Sequence, residues 1–175
     1  MSTSIKYTSE DDKSLGLTGM ALTIVALDGE NYFSEVSLER EPGNGFGFSH
    51  DFYFRPNPRL SAKINWTELL RQLRLSSSLA LGNVMCRSYV GHRRRLDNDT
   101  TEQLRRMIRD LACEECQLEA DEADSLFDSS YSYLDRLFSS PRVHEVANAF
   151  SAELVRRRTM SAPDALDLLR HLGAF

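Results

Sequence analysis

Three cysteines, three lysines, five prolines and one tryptophan are spread over 175 residues. Cys86, Cys113 and Cys116 are an odd, sparse set that builds no closed disulfide framework and suits a reducing compartment. The longest apolar run, Met20 to Leu27, is eight residues and contains Thr23, too short to span a bilayer, so no membrane partner is expected. Met1–Asp12 is polar and acidic and shows no secretory pattern, and a cytoplasmic location is the expectation. No G-x-S-x-G, Walker A loop, dinucleotide fingerprint or H-E-x-x-H occurs. Nucleophilic catalysis has no candidate, and no cofactor is called for. Lysine is confined to Lys6, Lys13 and Lys63, so 18 of the 21 basic residues are arginine, a bias that a GC-rich genome produces.

What remains is globular composition: 41% hydrophobic, 27% charged, net charge −5, enough for one compact domain or two small ones. The charge is unevenly placed. Residues 1–60 carry five basic and nine acidic side chains, residues 61–98 seven and two, and residues 99–175 nine and fifteen. Arg87 and the run His92-Arg93-Arg94-Arg95 form a basic knot. Glu114, Glu115, Glu119, Asp121, Glu122, Asp124 and Asp128 form an acidic block with no basic residue between them. Such patches pair within a chain, pair between subunits, or face other partners.

Residues 1–14 read as a disordered tail, 15–98 as a sheet-containing α+β part and 99–175 as a helical part, together one compact domain. Leu17–Leu27 is apolar nearly throughout, the pattern of a strand buried on both faces. Tyr32–Arg40 alternates, Pro42-Gly43-Asn44-Gly45 is a strong turn, and Phe46–Phe54 alternates again, so the three make an antiparallel meander. Arg55-Pro56-Asn57-Pro58-Arg59 ends the sheet. Asn65 with Glu68 suggests a helix start, followed by an apolar stripe of Trp66, Leu69, Leu70 and Leu73. Leu79–Val90 fits a helix or a fourth strand, with a slight preference for the strand. A long helical stretch opens at Asp99 or Thr100; its apolar side rotates along the chain, so it either buries two successive faces or breaks near Asp128-Ser129-Ser130, and the break is preferred. Ser140-Pro141 starts the next helix, Arg156-Arg157-Arg158 ends it, and Ser161-Ala162-Pro163-Asp164 opens a last short one. The fold class is therefore α+β, a small antiparallel sheet of three or four strands followed by a helical C-terminal half.

Gly45-Phe46-Gly47-Phe48 is similar to the core of the RNA-recognition strand, whose alternating aromatics stack unpaired bases. Asn44 stands where that motif has a basic residue and Asp51 where it has a final aromatic, and the first hairpin leaves no room for the helix that fold needs. The aromatics read better as a strand face packed on helices. Cys113-Glu114-Glu115-Cys116 is a lone C-x-x-C with no second ligand pair, and Glu115, Glu119 and Glu122 fall at i, i+4, i+7. Cys113, Cys116, Glu115, Glu119 and Glu122 are the candidate metal or redox residues. Arg87, Arg93, Arg94, Arg95, Arg105, Arg106 and Arg109 are the candidate nucleic-acid contacts, set against a pI near 5.4. The leading expectation is a non-catalytic protein acting through protein–protein contacts, with itself as partner and a homodimer the simplest form. Nucleic-acid binding, and metal or redox chemistry at the C-x-x-C, are the alternatives.

Overall fold

The computed structural model describes residues 6–41 and 43–174. Met1–Ile5 of the expected tail and Pro42 of the expected turn lie outside the described residues. The expected tail yields to helix at Glu10. Ser9 caps α1 (Glu10–Ala26) by accepting the Asp12 N–H at 3.1 Å, and Glu10, Asp11 and Asp12 in the first turn suit the positive end of the helix dipole. The segment expected as a buried strand, Leu17–Leu27, forms the rest of this helix and its cap. A helix enclosed on all sides is apolar on all sides, so continuous apolarity does not separate it from a two-faced strand.

β1 (Phe33–Ser37) and β2 (Phe46–Phe48) make the predicted hairpin, but β2 stops early at a 3-10 turn over His50–Phe52. The third strand is not its continuation. β3 (Thr159–Ser161) arrives from the far end of the chain, giving the antiparallel order β2-β1-β3 with Val36 opposite both Phe46 and Met160. Phe46 stacks on Phe33 at 4.6 Å between ring centroids and Phe48 on Phe52 at 4.0 Å, so these rings stack on each other.

α2 (Ala62–Cys86) is capped by Ser61 rather than Asn65, whose amide is spent on the Asn57 loop. It runs through the region read as a fourth strand and continues as a π turn, Arg87–Gly91. Gly82 and Cys86 share the side of α2 that meets α1. A Cβ on Gly19 would fall 2.2 Å from the Gly82 carbonyl oxygen and 2.5 Å from Cys86 Cβ. The two backbones touch, which only small residues in helical register permit.

α3 (Asn98–Cys116) and α4 (Ala120–Phe138) are separated at Gln117, not near Ser129. Gln117 takes the left-handed conformation (φ 50) and Leu118 N–H returns to the Ala112 carbonyl at 3.3 Å, a Schellman-like closure. The two apolar faces thus belong to two helices, and Ser130 is buried within the second. α5 (Pro141–Arg157) and α6 (Ala162–His171) start at the predicted Ser-Pro and Ser-Ala-Pro-Asp signals. One apolar cluster runs from Leu17 through Val36, Met85 and Phe127 to Leu169. A satellite of Leu73, Ala112, Cys116 and Ala123 joins α2 to the α3–α4 corner. No helix among the described residues is long and apolar enough to cross a membrane.

Candidate functional site

α3 and α4 run antiparallel, and this turns half of the charge segregation into architecture. Arg109 forks onto both Asp124 oxygens at 2.6 Å. Arg105 reaches Asp128 at 2.6 Å, stands 3.7 Å from Asp124, and lies over the Phe127 ring at 4.4 Å. The hydrogen bond from Arg109 is the main cause holding the Asp124 carboxyl below its usual range. Two of the candidate nucleic-acid arginines are thereby committed to the acidic block.

Arg87 is lost to that surface for a different reason. The π turn that continues α2 buries it to 5% exposure, where Nε donates to Asp12 Oδ1 at 2.6 Å and Nη2 to Oδ2 at 2.7 Å. Nη2 also donates to the Lys6 carbonyl at 2.8 Å, and the guanidinium lies 5.0 Å from the Tyr7 ring. Thr8 adds its N–H at 2.9 Å and its hydroxyl at 3.1 Å to Asp12 Oδ2. Burial pushes the Asp12 carboxyl upward, but the guanidinium and the Thr8 donors together outweigh it and leave the carboxyl below its ordinary value. The pair pins residues 6–12 to the end of α2 rather than facing a ligand. Asp12 escaped the sequence reading although Ser9-x-x-Asp12 carries a helix-start signal.

Arg93, Arg94, Arg95 and Arg106 are exposed. Arg95 is 3.6 Å from Asp135, and Arg106 Nε is 3.4 Å from the Glu102 carbonyl. The side chains of Arg93 and Arg94 form no ion pair among the described residues. The seven-arginine patch is thus four surface residues.

The metal candidates are drawn apart by helix-end chemistry. The Glu119 side chain accepts the backbone N–H of Glu122, and the Glu122 carboxylate accepts the Glu119 N–H at 3.0 Å, a capping box that starts α4. Glu115 is exposed at the end of α3. Cys116 is buried in the satellite cluster, its thiol pushed upward by burial and by Glu115, while Cys113 is half-buried. Among the described residues no three His, Cys, Asp or Glu side chains gather as a metal-holding group.

The same corner borders a groove. The stripe on α2 passes from Trp66, 43% exposed, through half-buried Leu69 and Leu70 to Leu73 at 2%. The α3–α4 corner covers its later turns and leaves its first turn open. Between them lies a cavity of about 520 Å³, with Leu70, Leu118 and Leu126 supplying apolar walls, Arg71 and Arg74 on one side and Glu122 on the other. Arg74 on its wall is exposed and forms no ion pair among the described residues, whereas Arg71 is paired with Glu68; Lys63 earlier in α2 and Arg55 and Arg59 in the preceding loop are also exposed and without an ion pair among them. Glu114, Glu115, Glu119, Asp121 and Glu122 on the corner are likewise exposed and without an ion pair there. No protein-family model, curated protein or solved structure matches this chain.

Proposed function

We propose that this protein is a non-catalytic interaction module that pairs with a second copy of itself across the groove between the first half of α2 and the α3–α4 corner. One observation carries the reading: Arg74 on one side of the groove and Glu122 on the other are exposed and without an ion pair among the described residues, around an apolar floor. Arg105 and Arg109 are matched within the chain by Asp124 and Asp128, yet Arg74 and Glu122 form no ion pair among the described residues. Because the α2 wall is basic and the corner acidic, a two-fold axis running along the groove sets each α2 wall against the partner's corner, two equivalent contacts in all. Trp66 and Leu70 would then be covered, adding apolar burial to charge complementarity.

The experiment is light scattering coupled to size exclusion, over a range of concentration and salt. The expected particle is twice the 19.9 kDa chain and dissociates as salt rises. Trp66 is the single tryptophan, so its emission should shift to shorter wavelength on association. Arg74→Glu or Glu115→Arg alone should weaken pairing, and the two together should restore it. A monomer at every concentration and salt, with Trp66 emission unchanged, would end this reading.

A further inference from the structure

Where α1, α2, α3 and β2 meet, a second cavity has a different chemistry. It measures about 560 Å³, within the roughly 300–1,000 Å³ typical of small-molecule sites. Lys13, Leu17 and Met20 line it from α1 at i, i+4, i+7, and Ala80 and Val84 from α2 at i, i+4. Leu104 and Met107 of α3 and Phe46 of β2 close the remaining sides. Leu17, Val84, Leu104 and Phe46 are buried, fixed walls, whereas Met20 is half-buried and Met107 exposed. Thioether side chains at the mouth of an otherwise rigid apolar trough adapt to chains of differing length.

The charged groups make this more than an uncovered apolar face. The chain has three lysines, and two of them, Lys6 and Lys13, line this cavity. Lys13 is held by its ammonium and Lys6 by its backbone. The Lys13 ammonium donates to the Leu38 carbonyl at 2.8 Å and the Arg40 carbonyl at 2.5 Å, which uses two of its three donors. The Lys6 backbone is fixed by Arg87, and its side chain is exposed. Glu10 and Asp12, close to Lys13 in α1, make their direct ion pairs with Arg158 and Arg87, and Lys13 acts on Glu10 only as a lesser, through-space charge.

From this we infer that the cavity binds a free aliphatic carboxylate, with the acyl chain along Leu17, Ala80 and Leu104 and the carboxylate at Lys6 and Lys13. An ammonium with one donor left and a second lysine lining the same largely apolar trough fit a single anionic head on an apolar tail. The site is separate from the groove assigned to self-association and does not depend on it.

The five methionines provide the test. The full-length protein carrying ¹³C-methyl methionine is titrated with laurate below its micelle threshold and followed by NMR. Met20 and Met107 line the cavity, whereas Met85 and Met160 are buried and do not line it. The expected result is saturable movement of the Met20 and Met107 signals, with Met85 and Met160 unmoved. Affinity should rise by roughly four-fold per methylene from octanoate through decanoate to laurate. Dodecylammonium should bind at least about ten-fold more weakly, as should laurate to Lys6→Glu, a surface change that leaves the walls intact. Signals that stay still, all four moving together, or dodecylammonium binding as well as laurate would overturn the assignment.

Discussion

Replacing Arg87 by Met removes the guanidinium but keeps a long apolar stem in the space it fills. Asp12, 8% exposed, then loses the two bonds of 2.6 and 2.7 Å from Arg87, and the Lys6 carbonyl loses its donor. Breaking a buried pair by deleting one partner costs about 3–5 kcal/mol. Thr8 still donates to Oδ2 through its N–H and its hydroxyl, so the lower end, about 3 kcal/mol, is expected at neutral pH. For a chain of this length that is a fall in Tm of roughly 6–12 °C. Urea unfolding followed by circular dichroism, run from neutral to mildly acidic pH, measures it. In the native protein the folded Asp12 value lies below the unfolded one. Its contribution is therefore complete above the unfolded value of about 3.9 and is lost only as pH falls toward the folded value. In Arg87→Met, burial without the counter-ion puts the folded value above the unfolded one, so that variant recovers stability as pH falls from 7 toward about 4. The gap between the two proteins should be widest at neutral pH and narrow on acidification. Changing both members, Asp12→Leu with Arg87→Met, should regain most of the loss. A single-variant cost below about 1 kcal/mol, or a gap that does not change with pH, would refute the electrostatic account and leave Arg87 as packing alone.

Two further outcomes test the core. Gly19→Ala should cost about 1–3 kcal/mol or more in the same unfolding assay, because the new methyl meets the Gly82 carbonyl and α1 and α2 must separate; a neutral result would show that the crossing is loose. Ellman's reagent should label Cys113 in the native protein and reach Cys86 and Cys116 only on unfolding, since burial raises both of those thiols. Rapid labelling of Cys116 would revive the redox reading of the C-x-x-C.

Where a signal acts within a few residues, the chain announces its structure. The helix starts at Ser140-Pro141 and Ser161-Ala162-Pro163-Asp164 lie where local chemistry puts them, and Arg156 and Arg157 at the end of α5 pair with Glu153 in their own turn, whereas Arg158 reaches Glu10 and Glu39 across the fold. The α+β class and the Tyr32–Phe48 hairpin follow from alternation in the same way. Segment charge was legible as well, but not its destination. Arg109 finds Asp124, 15 residues on, because a left-handed Gln117 folds α4 back on α3; Arg87 finds Asp12, 75 residues back, because α1 crosses α2 at two glycines. Glu119 and Glu122 form the capping box of α4, which depends on a break that periodicity placed a dozen residues too late. Leu17–Leu27 is apolar on every side, and only the surrounding helices and sheet distinguish an enclosed helix from an enclosed strand, since burial demands the same composition of both. β3 shows the same limit: a three-residue strand has no pattern of its own, and Thr159–Ser161 becomes one because β1 offers it an edge.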